Sequence, residues 1–314
     1  MGENSKIEWT HHTANLWSGC TKVHEGCDHC YAEALSHRFG NDVWGNDKPR
    51  LAVKSTLANI NAWQKKAEKL GEVHRVFVGS MMDIFEKPMP LIDSKGVALQ
   101  STTGDLRRAF FESVVPASPN LMFLLLTKRP SNINKYIPEA WKTTPPANVI
   151  FGASPVNQET FDTLWLQLAR VKGRRFLSIE PQLGEVQIKP YCSEFDILLD
   201  GFDSPACSTY DTSGIYPDWV IVGGESGPKR RPFDIHWGRS LMQQCRAAGI
   251  PFFFKQIDKI KQIPTDLMVR EFPDDIDKCI ECGKEMDETE HNYGTEDMLV
   301  CIHCYNDAQV PPAD

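Results

Sequence analysis

Three thiols within eleven residues carry the strongest chemical signal in this 314-residue chain. They are Cys20, Cys27 and Cys30, in the run Gly19-Cys20-Thr21-Lys22-Val23-His24-Glu25-Gly26-Cys27-Asp28-His29-Cys30-Tyr31. Thiolates are ligands for soft and borderline metals. Four of them close a structural zinc or iron–sulfur site, whereas three leave one position open to a substrate or cofactor. His24 and His29 inside the motif, and His11 and His12 ahead of it, offer a fourth ligand. On ligand chemistry alone, a zinc site of three cysteines and one histidine therefore stands beside an open iron–sulfur site. In favour of the open site, Tyr31-Ala32-Glu33-Ala34-Leu35 begins a helical pattern directly after Cys30.

A second group lies in the tail, where Cys279-Ile280-Glu281-Cys282 is followed, eighteen residues later, by Cys301-Ile302-His303-Cys304. Two CxxC knuckles at this separation match a tetrahedral four-cysteine zinc site, with an auxiliary iron–sulfur cluster or a redox dithiol pair as alternatives. A closed site serves structure or recognition, and a tail this polar needs a metal for its folding energy. Cys192, Cys207 and Cys245 have no partner spacing and read as inert core or loop thiols.

The elements that must hold the first motif follow from the apolar pattern. Short runs rich in β-branched and aromatic residues occur at 75–80, 121–127, 149–153, 175–179, 219–223 and 252–255, and read as buried parallel strands. Helical stripes lie between them: Leu57, Ile60, Trp63, Ala67 and Leu70; Leu106, Phe110 and Val114; Phe161, Leu164, Leu168 and Val171; Trp237, Leu241 and Cys245. With a first strand ahead of Cys20 this makes six or seven βα repeats, which favours a parallel (β/α) barrel, partial or complete. Residues 187–217 read as a loop insertion. The expected organisation is a barrel domain over 1–258, a linker over 259–276 and a zinc-ribbon-like module over 277–314.

Polar residues recur where strands of such a fold end, which is where it holds active sites. They are Ser80 and Asp83, Lys128 and Arg129, Asn157, Glu180, then Gly223, Gly224 and Glu225, and finally Lys255. A single charge abutting a buried strand is a cap or an ion pair, but five or six on one rim indicate a polar pocket. The Gly-Gly-Glu-Ser-Gly turn is either a tight turn or a backbone cradle for an anion.

Hydrophobic content of 41% and charged content of 24% are those of a folded globular chain. The start of the chain is polar, no apolar run approaches membrane-spanning length, and ten Cys without a secretion signal suit a reducing compartment. A cytoplasmic location without a membrane partner is expected. From Thr265 onward fourteen acidic residues face three basic ones, so that stretch carries −11 of the net −8 and leaves residues 1–264 at +3. The basic clusters at Arg174-Arg175 and Lys229-Arg230-Arg231 permit a phosphate-bearing partner without demanding one.

Trp9-Thr10 with Asn15, the cysteine run itself, Met82-Asp83-Ile84-Phe85, Leu126-Thr127-Lys128-Arg129-Pro130, Glu180-Pro181-Gln182-Leu183-Gly184, Val222-Gly223-Gly224-Glu225-Ser226-Gly227 and Pro251-Phe252-Phe253-Phe254-Lys255-Gln256 occur in that order. Together they resemble the three-Cys-motif proteins of phages and prophages, over about residues 7–257. Members of that family look like radical S-adenosylmethionine (SAM) proteins, with the first cysteine gap widened from three residues to six. The resemblance implies a 4Fe–4S cluster on Cys20, Cys27 and Cys30, with SAM chelating the remaining iron. It also implies an electron donor, hydrogen abstraction from a substrate, and a three-Cys-motif partner protein. By the same analogy Asp83 meets the SAM amine, Lys128 or Arg129 its carboxylate, and Glu180 or Glu225 the ribose or substrate. Ser80, Asn157, Gly223 and Gly224 join them as cofactor contacts, and Asp83, Lys128, Glu180, Glu225 and Lys255 as catalytic candidates. The leading expectation is a radical SAM enzyme acting on a nucleobase or nucleotide. A non-catalytic nucleic-acid-binding or adaptor protein with zinc at both cysteine sites is the alternative, and an electron-transfer partner that leaves SAM intact is a third.

Overall fold

The apolar runs form strands, and with His12–Ala14 they make one parallel sheet of seven. In chain order these are β1 (His12–Ala14), β2 (His74–Val78), β3 (Leu121–Thr127), β4 (Val149–Ala153), β5 (Arg174–Ile179), β6 (Trp219–Gly223) and β7 (Phe252–Gln256). The computed structural model describes residues 5–199, 214–227 and 229–273. Cys207, Cys279, Cys282, Cys301, Cys304 and the module expected at 277–314 lie outside the described residues. The chain divides into two units, Met1–Val269 and Arg270–Asp314, and all seven strands belong to the first.

Spatial order in the sheet equals chain order, so every crossover steps in the same direction. A sheet built this way curls towards a barrel instead of doubling back on itself. Among the described residues β1 and β7 are the two edges and do not pair, so the sheet is a half-barrel. The β7 edge is covered by the chain itself: Leu267 is fully buried, and the Phe254 amide donates to the Val269 carbonyl at 3.1 Å.

Helices α1 (Tyr31–Arg38) and α2 (Thr56–Leu70) lie between β1 and β2, and α3 (Thr103–Ala109) lies between β2 and β3. Then come α4 (Ile133–Tyr136), α5 (Gln158–Ala169) and α6 (Ile235–Ala247), which precede β4, β5 and β7. In α2 the centre of the expected stripe is buried at Ile60, Trp63 and Ala67, while its ends, Leu57 and Leu70, are exposed. Polar residues take the vacated inner positions because they have partners there. The Thr56 hydroxyl donates to the Asn15 carbonyl, and Gln64 pairs with Asn120. Helix α3 begins with a Thr102/Asp105 capping box and widens at Phe110–Val114 into a π-turn, which buries the adjacent rings of Phe110 and Phe111.

The two faces of the sheet bury different sets. Alternate residues such as Val76, Phe123, Phe151, Leu177 and Val220 join the core formed with the helices. On the concave side Trp9 packs on Phe77 at 4.7 Å and on Trp219 at 6.2 Å, and Phe176 meets Trp219 at 5.9 Å between ring centroids. This aromatic plug fills the half-barrel and floors the site above it.

A feature without a sequence signal is a second, four-stranded sheet, formed by Trp17–Ser18, Arg50–Ala52, Pro90–Ile92 and Ala98–Thr102. Trp17–Ser18 pairs antiparallel with Arg50–Ala52, which brings Arg50 beside the start of the cysteine loop.

Candidate functional site

The cysteine loop follows β1, so it arrives at the end of the sheet where the strands terminate in Ser80 and Asp83, Lys128 and Arg129, Ser154, Glu180 and Lys255. All of these residues, with Cys20, Cys27 and Cys30, line one cavity of about 180 Å³. Trp9 and Phe77 form its floor, and Tyr31, Trp44, Met81 and Met82 supply apolar wall. That volume is below the several hundred Å³ that encloses a whole cofactor, so a ligand of SAM's size would extend out across the rim.

Four charges, alternating in sign, hold the cysteine side. Arg50 is fully buried and grips Glu86 in a two-pronged pair, at 2.9 Å from Nε and 2.7 Å from Nη2. Its remaining donors go to the carbonyls of Val43, Gly45 and Lys48 and to the Thr21 hydroxyl. Arg129 extends the chain, with Nη2 3.8 Å from Glu86 and Nη1 2.7 Å from Asp83. Arg129 also donates to Cys20 Sγ at 3.7 Å and to the Thr21 carbonyl, so two guanidinium groups fix the loop at its first thiol. Gly19 lets this happen: at φ +117° it stands where a Cβ would lie 2.3 Å from the Val43 carbonyl and 2.7 Å from Arg50 Cδ.

Asp83 is fully engaged here. It accepts from the Thr127 hydroxyl at 2.7 Å, the Phe85 amide at 2.9 Å, the Lys128 amide at 3.2 Å and Arg129. Its carboxylate therefore binds the turn after β3 to the turn after β2. Burial tends to lower the pKa of Arg129, but Asp83, Cys20 and Glu86 outweigh it and raise the value above the ordinary one. Burial, followed by the negative field of Asp83, pushes the Cys20 thiol up to about 12, with Arg129 opposing. Tyr31 presents its ring to solvent while its hydroxyl, desolvated and raised in pKa, donates to the Ser80 carbonyl at 2.9 Å. Asn15, fully buried, bonds Ser80 Oγ and the Met81 amide, both at 2.7 Å.

The far side of the loop is held by Glu225. It accepts from the Arg231 amide at 2.7 Å and from Arg231 Nη2 at 2.8 Å, and it lies 3.0 Å from His29 Nδ1. Arg231 in turn donates to the Glu25 carbonyl at 3.1 Å. Burial would raise the Glu225 pKa, but these donors hold it below the ordinary carboxylate value. Inside the loop His24 Nδ1 accepts from the Gly26 amide at 3.1 Å, and burial, then Lys128 and Arg129, lower its pKa to about 4.

Four expected cofactor contacts are engaged within the chain as well. Glu225 clamps the loop, and Asn157 caps α5 by accepting from the Thr160 amide at 3.0 Å while its amide donates to Glu25. Gly223 and Gly224 permit close strand packing, since a Cβ on Gly224 would lie 2.0 Å from the Ile257 carbonyl. The Gly224 amide is already donated to Gln256 at 2.9 Å, so the turn does not offer it to an anion. Opposite the thiols, Lys128 Nζ donates to Ser154 Oγ at 3.0 Å, and Lys255 Nζ lies 2.9 Å from Glu180 Oε1.

Sequence reasoning missed Arg50, Glu86 and the structural part of Asn15. The available signal was Glu86 following Ile84-Phe85, and Arg50 preceding Leu51-Ala52-Val53: charges that interrupt apolar runs and so need buried partners. Of the basic clusters, Arg175 faces Asp218 at 4.0 Å, and Arg230 donates to Asp258 at 3.2 Å. Among the described residues no group of three or more His, Cys, Asp and Glu side chains is placed to hold a metal ion, and no helix is long and apolar enough to cross a membrane.

A sequence model of the family described as "Protein of unknown function (DUF5131)" matches residues 4–293, nearly the whole chain. No curated protein and no solved structure matches it.

Proposed function

The chain belongs to this family of unknown function, DUF5131, and from that premise we propose that it is a radical SAM enzyme. In this reading Cys20, Cys27 and Cys30 hold a 4Fe–4S cluster, and SAM lies beside it in the cavity. The observation that carries the reading is that all three thiols line one cavity at the strand ends of a curled parallel half-barrel. The donor set suits the group: three soft thiols, while Asp83, the carboxylate beside Cys20, is saturated by four donors. A cubane asks each thiolate to meet a separate iron, so the thiols need not gather on a single ion as zinc ligands must. When bound, cluster and SAM together supply one-electron cleavage of the cofactor and hydrogen-atom abstraction from substrate.

The protein's own residues position that chemistry. Arg129 and Arg50 anchor the loop at Cys20, Arg231 anchors it at Glu25 and Glu225 at His29, on either side of Cys27, and Trp9 lines the cavity. Asp83 orients the Arg129 guanidinium, and in this reading it also faces the SAM amine. The resemblance to phage three-Cys-motif proteins, a nucleotide or nucleobase substrate, an electron-donor protein and zinc on Cys279, Cys282, Cys301 and Cys304 complete the proposal.

Anaerobic reconstitution tests it. The full chain should take up about four irons at this site, lose its visible absorption when all three cysteines become Ala, and release deoxyadenosine from SAM under a strong reductant. Zinc retained at Cys20, Cys27 and Cys30 with no iron taken up would overturn it in favour of the adaptor reading. A fully loaded cluster that leaves SAM intact would point to electron transfer alone.

A further inference from the structure

The cavity has a second polar wall, facing the thiols, that the cysteine loop does not use. It is built by Lys128, Ser154, Ser178, Glu180 and Lys255, at the ends of β3, β4, β5 and β7. Its charges do not balance. On the thiol side each lining cation has an acid against it: Arg129 lies 2.7 Å from Asp83, and Lys22 lies 2.8 Å from Glu33. On the opposite wall two ammonium groups share one carboxylate. Lys255 takes Glu180, and Lys128 is left with the neutral hydroxyl of Ser154 at 3.0 Å. That hydroxyl passes its own proton on, to the Glu180 carbonyl at 3.2 Å. Two of the three Lys128 donors thus have no acceptor among the described residues.

Glu180 is engaged: its Oε2 accepts from Ser178 at 3.2 Å, and its Oε1 is paired with Lys255 at 2.9 Å. The half-buried Lys128 ammonium is the member of this wall without an anion against it among the described residues.

We propose that this wall is the substrate seat, and that the substrate carries an oxyanion, carboxylate or phosphate, bound by Lys128. The inference deepens the reading above and rests on it only for placing SAM against the thiols. Arg129, which touches Cys20, stands on the cofactor side, whereas Lys128 is turned across the sheet to Ser154.

Calorimetric titration of the metal-free full chain with inorganic phosphate, acetate, AMP and adenosine, at low ionic strength, tests the seat without any iron or SAM. At least one anion should bind saturably. Lys128→Gln should weaken it by about tenfold, the loss expected for one charge-assisted contact. Glu180→Gln, which removes the competing negative charge, should tighten it, and this opposite sign separates the effect from misfolding. Binding of phosphate and AMP without acetate identifies a phosphate-bearing substrate, and binding of acetate a carboxylate-bearing one. The proposal fails if no anion saturates or if Lys128→Gln leaves every affinity as it was. It also fails if, in a parallel titration of iron-loaded protein, that variant weakens SAM alone, because the anion is then the cofactor's own carboxylate.

Discussion

Arg50 and Glu86 show how much the site depends on charges buried where no ligand touches them. Arg50 is fully buried and Glu86 nearly so, and the pair holds the cysteine loop through Thr21 and the carbonyls around Gly45. A buried pair owes its worth to completeness: removing one partner strands the other charge, at a cost of about 3–5 kcal/mol. Glu86→Gln should therefore lower the urea midpoint sharply, and Arg50→Met with Glu86→Met should recover part of the loss. A double variant that is worse than the single one would show that the pair's net charge was not the source of the penalty. Histidines set a different dependence. His24, chiefly by burial and then by Lys128 and Arg129, and His11, chiefly by burial and then by Arg75 and His74, are both lowered from 6.5 to about 4. A lowered folded pKa means that the unfolded chain binds protons first as pH falls. Stability should thus be complete above about pH 6.5 and decline towards pH 4. His24→Asn, which keeps an oxygen for the Gly26 amide, should shrink that decline, as read from denaturation midpoints across the range. An unchanged decline would remove His24 from the account.

At the level of elements, the parallel strands were legible because burial on both faces writes an uninterrupted apolar run, and β3, β4 and β6 match their expected bounds residue for residue. The three thiols, Lys128, Glu180 and Lys255 were legible for a related reason, since strand ends in one direction converge on one rim. The four-stranded sheet was not legible. Its strands are two to five residues long, two of them carry exposed positions, and they pair across up to about forty intervening positions. Nothing local distinguishes such segments from loop. The concave plug was hidden for the same reason, because Gly152 reads as a weak strand residue until its neighbour is known. A Cβ there would lie 2.3 Å from the Phe176 ring, itself fully buried. Gly152→Ala should cost about 1–3 kcal/mol by overpacking. Phe176→Leu in the same chain should relieve it, giving a coupling well outside additivity in a double-mutant cycle. Additive losses would mean that the ring moves aside freely.

For the whole molecule the question is what kind of anion its charge admits. The chain carries a net −8, of which −11 comes from Thr265 onward, and such a net charge opposes the approach of a polyanion, most strongly at low salt. The basic clusters that sequence offered as phosphate contacts do not answer it. Arg175 is held by Asp218 and by the carbonyls of Ala169 and Val171, Arg230 by Asp258, and Arg231 by Glu225. Each of those guanidinium groups would have to leave an acid of its own chain before it could release counterions from a nucleic acid. Inside the cavity Lys128 has no acid against it among the described residues, and a single small anion can reach it where a duplex backbone cannot. AMP should therefore bind better than duplex DNA of equal phosphate concentration. Its affinity should fall only shallowly with salt, because a mononucleotide has no condensed counterions to release, whereas log K on a duplex changes by about −0.9 per phosphate contact for each tenfold rise in salt. Arg230→Ala should leave that slope where it is. A steep slope of several phosphates, flattened by Arg230→Ala, would instead mean that the surface pairs open to a nucleic acid and that the substrate is held in a polymer.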